Sequence, residues 1–97
     1  MRFEWDEAKR RANLEKHGLD FADSPEMFAG EMVIALDRRL DYGEARFIGF
    51  GPLKGRVMAI IFSRRMPDLI RIVSLRKANQ RERRRYEQAV TDRLGQN

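Results

Sequence analysis

Arg76, Lys77, Arg81, Arg83, Arg84 and Arg85 crowd into one segment, RIVSLRKANQRERRRYEQ, spanning Arg71–Gln88. The segment carries seven Arg or Lys against two Glu, a balance of +5 that equals the formal balance of the whole 97-residue chain. The chemistry such a group serves is the holding of an oxyanion, because guanidinium forks stay charged and offer paired N–H donors to phosphoryl oxygens. Helix physics argues against the placement. The last four arginines fall in the first two turns of a helix-like run, where each cation works against the macrodipole at about 0.3–1 kcal/mol. A phosphate would relieve that repulsion, since the N–H groups of a helix start favour an anion too. The plain alternative is a solvated, Arg-rich surface helix, arginine being a strong helix former.

The elements that would position these residues can be read along the chain. After an extended RFEW, Asp6 caps a helix with body EAKRRANLEKH, and Gly18 suits its left-handed exit. Ser24-Pro25 opens a brief helical turn through Phe28, ended by Gly30. MVIAL reads as a strand and Asp41-Tyr42-Gly43 as the turn after it. ARFIGFG and RVMAIIFSRR then form a hairpin around a four-residue loop, Pro52-Leu53-Lys54-Gly55. Met66-Pro67-Asp68 turns the chain into LIRIVSLRK, the last strand. Strict alternation would put Ile70, Ile72, Ser74 and Arg76 on one side of it and Leu75 and Lys77 on the other. Asn79 and Glu82 have capping-box spacing, starting a helix to about Leu94 with Gly95 behind it. Tyr86, Val90 and Leu94 mark a buried stripe on it, which Arg83 extends toward the sheet. Short connections between consecutive strands indicate an antiparallel sheet, so the predicted class is α+β: a small antiparallel sheet with two N-terminal helices and a C-terminal helix. Trp5, Phe28, Phe47, Phe50 and Phe62 are the expected core anchors.

Bulk composition bounds the function. With 97 residues, 42% of them hydrophobic, the chain suits one domain over 1–97. It has no cysteine, so disulfides, thiol nucleophiles and Cys-type zinc sites are excluded, and the expected compartment is the cytoplasm. No apolar run approaches the roughly 20 residues of a membrane span, and MRFEWDEAKR has acids where a signal peptide needs an apolar stretch. A membrane partner is not expected. The pI near 10.2 favours an anionic one.

Several stretches, taken in order, are similar to a known pattern. FEWDEAKRRANLEKHGLDF, GEARFIGFG and RIVSLRKANQRERRRY resemble the BrnT family of type II toxin–antitoxin toxins, through W-D-E-x-K, N-x-x-K-H-G and S-x-R-x-A-x-x-x-E-R-x-x-Y. The resemblance implies a RelE-like fold, ribonuclease activity that arrests translation, and neutralisation by a cognate BrnA-type antitoxin. It implies operator DNA as a partner only through that antitoxin. The family commonly has S-A-R where this chain has Ser74-Leu75-Arg76, a departure that touches packing.

Metal-free RNA cleavage uses the ribose 2′-hydroxyl as nucleophile, so the protein must help remove its proton, stabilise the phosphoryl charge and protonate the leaving oxygen. Arg76 and Arg83 are the residues assigned to the charge, with Arg46 on the GEARFIGFG strand as a third. His17, the one histidine, is the natural acid–base candidate. It equally suits a structural role, bonding the last carbonyls of its helix, and Asn13 one turn earlier would orient it either way. Tyr86 is either a core residue or a proton donor beside Arg83. Lys16, Arg64, Arg65, Lys77, Arg81 and Arg84 are expected to track an RNA backbone.

Other constellations are thin. Asp6/Glu7 and Asp37/Asp41 belong to a helix start and a turn, one histidine makes a transition-metal site unpromising, and GFGPLKG lacks P-loop spacing. No cofactor and no metal is expected. The competing functional classes are a nucleic-acid-binding module that does not cut, and an interaction protein whose basic face docks an acidic partner.

Overall fold

A computed structural model describes residues 1–38 and 43–95. The strands are β1 (Arg2–Trp5), β2 (Val33–Asp37), β3 (Arg46–Leu53), β4 (Arg56–Met66) and β5 (Leu69–Lys77). The helices are α1 (Glu7–His17), α2 (Ser24–Ala29) and α3 (Gln80–Leu94), with a 3-10 turn at Phe21–Asp23. The Asp41-Tyr42 part of the expected turn lies outside the described residues. Among the described residues no helix is long and apolar enough to cross a membrane.

The α+β class holds, but the sheet is mixed. Its order is β1-β5-β4-β3-β2, and β1 runs parallel to β5, with Arg2 opposite Leu69 and Trp5 opposite Ile72. Only consecutive strands are forced antiparallel by short connections; β1 reaches β5 after most of the chain has intervened, so nothing local fixes its direction. The β3–β4 turn is tighter than expected. Leu53 pairs with Arg56, leaving Lys54-Gly55 as a two-residue turn at φ 54° and 79°. Positive φ at both central positions matches the right-handed twist of the flanking strands, and glycine meets that demand without strain.

The core packs on one sheet face. Leu53, Met58, Ile60, Phe62, Ile70, Ile72 and Leu75 meet Leu19, Phe21 and Met27 from the loop, 3-10 turn and α2, with Trp5, Phe28 and Phe47 partly buried against them. Phe50 instead alternates to the other face, beside α3. A register shift decides what β5 presents: Ile61 pairs with Ser74 but Phe62 with Ile72, so Val73 is bulged. The bulge reverses the alternation. Ile70, Ile72, Leu75 and Lys77 share the core side, while Ser74 and Arg76 take the α3 side.

The terminal helix is rotated relative to the expected stripe. Its partly buried positions are Glu82, Tyr86, Ala89 and Val90; Arg83 is exposed, and Leu94 is 70% exposed. Polar tethers fix this rotation. The Tyr86 hydroxyl donates to the Glu31 carbonyl at 2.9 Å, and Arg93 donates to the Met32 carbonyl and pairs with Glu31.

Candidate active site

The C-terminal half of β5 is where the elements converge. β1 ends opposite Ile72, which would leave the backbone of Leu75 without a strand neighbour on that edge. Asn13 of α1 takes that place. Its amide donates to the Leu75 carbonyl at 2.8 Å and to the Leu19 carbonyl at 3.0 Å, and its oxygen accepts from the Leu75 N–H at 3.1 Å. Asn13 therefore anchors α1 to the sheet edge and does not bond His17, as the sequence had suggested. Sharp ends define the helix: Asp6 accepts from the Ala8 and Lys9 amides, and Gly18 leaves at φ 70°.

His17 is carried by this anchor to a shallow cleft of about 300 Å³ that it lines with Lys16, Asn13, Val73 and Ser74. Partial burial pushes its pKa below the ordinary value, and the neighbouring charges of Lys16 and Arg76 push the same way. His17 is thus neutral at physiological pH, a form able to accept a proton. Arg76 thus lies within electrostatic reach of His17.

Arg76 reaches out on the α3 side of the sheet, opposite Ala59. Its Nη1 donates to Glu82 Oε1 at 2.7 Å and its Nη2 to Oε2 at 2.9 Å, with the side chains 28% and 16% exposed. Glu82 is simultaneously the second half of the α3 cap: its Oε1 accepts from the Asn79 N–H, and Asn79 Oδ1 accepts from the Glu82 N–H. Arg81 and Arg85, with Arg38 and the acids Glu82 and Asp37, border a cleft of about 320 Å³ whose apolar lining includes Ala35, Ile48 and Phe50. An apolar floor under a cationic rim suits a nucleobase below and its phosphate above.

The other sequence candidates scatter. Arg83 and Lys77 line a separate cleft with Arg56. Its separation from Arg76 follows from the rotation of α3, which turns Glu82 inward where Arg83 was expected. Tyr86 spends its hydroxyl on Glu31, burial and the Glu31 charge raising its pKa. Arg46 shares the α3 face but stands opposite Asp37, four residues along β3 from Phe50, or about 13 Å by strand rise. Arg64 borders a small apolar hollow with Ile34, Phe47 and Phe62; Arg65 pairs with Glu44; Arg84 is exposed. Lys16 is the one backbone-tracking candidate that joins His17. The residue that sequence reasoning undervalued is Glu82, seen only as a cap, although its place in the terminal motif was the available signal.

Residues 5–82 match the protein family described as ribonuclease toxin, BrnT, of type II toxin-antitoxin system. The chain belongs to the BrnT family. The crystal structure of the Brucella abortus ribonuclease toxin BrnT is similar to it, with 33% identity, a TM-score of 0.64, and coverage of 82% of this chain and 99% of that one. No curated protein matches the sequence significantly. The BrnT match takes in His17, Arg46, Arg76 and Glu82 and stops just before Arg83.

Proposed function

We propose that this chain is a metal-independent endoribonuclease that cuts RNA through the 2′-hydroxyl, arrests translation in the cytoplasm and is neutralised by a BrnA-type antitoxin that carries the pair to operator DNA. The observation that carries the catalytic part is the Arg76–Glu82 pair, the Arg76 charge also reaching a histidine whose pKa is depressed chiefly by burial. Arg76 supplies planar donors to the phosphoryl oxygens as negative charge builds there. Glu82 holds the fork in orientation from behind. Neutral His17 takes the 2′-hydroxyl proton, becoming imidazolium, as that oxygen bonds to phosphorus and the P–O bond to the 5′ oxygen breaks. The same imidazolium, or water, returns a proton to the leaving oxygen. Arg81 and Arg85 hold the strand over the apolar floor, and Lys16 adds charge beside His17. Arg46 steadies a more distant part of the strand; Arg83 and Tyr86 have no part in this step.

Incubation of the purified protein with single-stranded RNA in EDTA tests this reading. Cleavage leaving 2′,3′-cyclic phosphate ends is expected, and intact RNA would leave a binding module in its place. Co-expression with the small protein of the adjacent reading frame is expected to yield a copurifying, non-toxic complex.

A further inference from the structure

A second group of cations lies apart from Arg76. Arg56 opens β4 directly after the Lys54-Gly55 turn, Lys77 closes β5, and Arg83 projects from α3; together with Val57 and Ala78 they line a cleft of about 410 Å³. The cleft is built by backbone: the Ala78 N–H donates to the Val57 carbonyl at 3.1 Å, and the tight turn fixes Arg56. Many cations elsewhere pair with acids, as at Arg2–Asp68, Arg10–Asp20, Lys54–Asp23, Arg71–Glu4 and Arg93–Glu31, and others such as Arg64 and Arg84 stand exposed outside this cleft. Arg56, Lys77 and Arg83 form no such pair among the described residues, although Glu87 borders the same cleft. Three cations against the single carboxylate of Glu87 leave the cleft net positive, which works against folding, and an external anion removes that repulsion.

The cleft's place relative to α3 indicates which anion. A helix turns about 100° per residue, so Arg83 and Glu87 lie on one flank of α3 while Arg81, Glu82 and Arg85 lie on the opposite one. The cationic cleft and the Arg76 site therefore flank the first turns of a single helix. We infer that the Arg56–Lys77–Arg83 cleft is a second phosphate subsite, gripping the RNA backbone away from the cut so that the strand passes the N-terminal turns of α3 with both flanks engaged. The inference rests on the proposed ribonuclease reading for its ligand, but it concerns binding and not scission. An acidic protein is the rival occupant; arginine and lysine drawn from three elements around one pocket match a compact phosphodiester better than an extended acidic surface.

The test uses a 2′-O-methyl RNA oligonucleotide, which cannot be cut, and fluorescence anisotropy over a salt series with the intact protein and its Arg56→Gln/Arg83→Gln variant. Both side chains are exposed and of like charge, so the variant is expected to melt no earlier than the parent does. Affinity should fall about tenfold at about 0.1 M salt, and the slope of log K against log salt should shrink by about 0.7 for each phosphate that the variant no longer neutralises. Unchanged affinity and slope would overturn the subsite. So would a variant that keeps its RNA affinity but no longer copurifies with the antitoxin, since the cleft would then serve the protein partner. Should the double variant melt early, Arg56→Glu alone reads the same slope. Because the probe lacks a reactive 2′-hydroxyl, a protein that never cuts RNA still answers the question, which separates this failure from that of the ribonuclease reading.

Discussion

The carboxylate of Glu82 receives Arg76 at two points, 2.7 and 2.9 Å, while one of its oxygens also accepts from the Asn79 N–H that opens α3. A single side chain thus completes a helix cap and fixes an arginine. The roles separate by substitution, because glutamine also serves at the third position of a capping box. Glu82→Ala should lower stability by about 1 kcal/mol through the lost cap, and Glu82→Gln by less, whereas RNA cleavage should fall in both. Melting curves beside initial rates decide this. A Gln variant with full cleavage would show that Arg76 needs no partner to hold it.

Arg76 itself should tolerate no conservative replacement. Lysine keeps the charge but loses the planar fork, so Arg76→Lys and Arg76→Ala are both expected to lose about 10²–10³ in kcat, the scale seen when one donor to a developing oxyanion is removed. The ion pair is partly buried, so the Ala variant should also melt somewhat earlier. Single-turnover cleavage with saturating enzyme separates this from weakened binding: a recovered rate at saturation would move Arg76 to affinity alone.

How far the chain could be read in advance follows from which signals are local. Asp6, Gly18, Asn79 and Glu82 act on backbone groups within a turn of themselves, and the α1 and α3 starts and the α1 exit fall where their types dictate. The bulge at Val73 has no such signature, since alternation in LIRIVSLRK looks unbroken and only pairing with β4 reveals the extra residue. That one bulge joins Leu75 to Ile70 and Ile72 in the core and puts Arg76 opposite them. The rotation of α3 was hidden for a related reason: its few apolar residues specify a stripe weakly, and the bonds from Tyr86 and Arg93 to the segment before β2 override it. Arg76 and His17 were legible as chemical types. That the Arg76 charge would reach His17 was not, because it depends on Asn13 docking at an edge that β1 leaves uncovered.

His17 should leave a mark on pH dependence. Its folded-state pKa lies below the ordinary value of 6.5, so below that pH the unfolded chain binds more protons than the folded one, and stability falls as the pH drops. The contribution is whole above pH 6.5 and is lost on acidification. His17→Gln should therefore flatten the difference in Tm between mildly acidic and neutral buffer. In the parent, kcat/KM should decline on the acid side with a midpoint below 6.5, and this limb should vanish from whatever activity His17→Gln retains. An unaltered limb in that variant would assign it to another group.

Tyr86 offers the converse case. Its hydroxyl donates to the Glu31 carbonyl and helps set the rotation of α3. Tyr86→Phe removes one partly exposed hydrogen bond, about 0.5–1.5 kcal/mol, and is expected to lower the melting temperature slightly while cleavage at moderate temperature persists. Collapse of cleavage with an intact melt would return the hydroxyl to the chemistry.

Asn13 should prove the most sensitive position outside the charged residues. Its side chain is 7% exposed and satisfies the Leu75 N–H, the Leu75 carbonyl and the Leu19 carbonyl together. Truncation to alanine removes all three bonds at a buried edge where each group left unsatisfied costs about 1–3 kcal/mol, and water entering along α1 would recover part of that. Aspartate keeps the acceptor for the Leu75 N–H but sets a carboxylate oxygen against two carbonyls, so Asn13→Asp is expected to be no better. Amide hydrogen exchange gives a residue-level measurement: the Leu75 N–H should lose protection in Asn13→Ala well beyond the rest of β5. Because the same bonds hold the end of α1 against the sheet, cleavage should fall in step with that protection although Asn13 touches no RNA, and full cleavage beside a deprotected Leu75 would show that His17 keeps its place without this anchor.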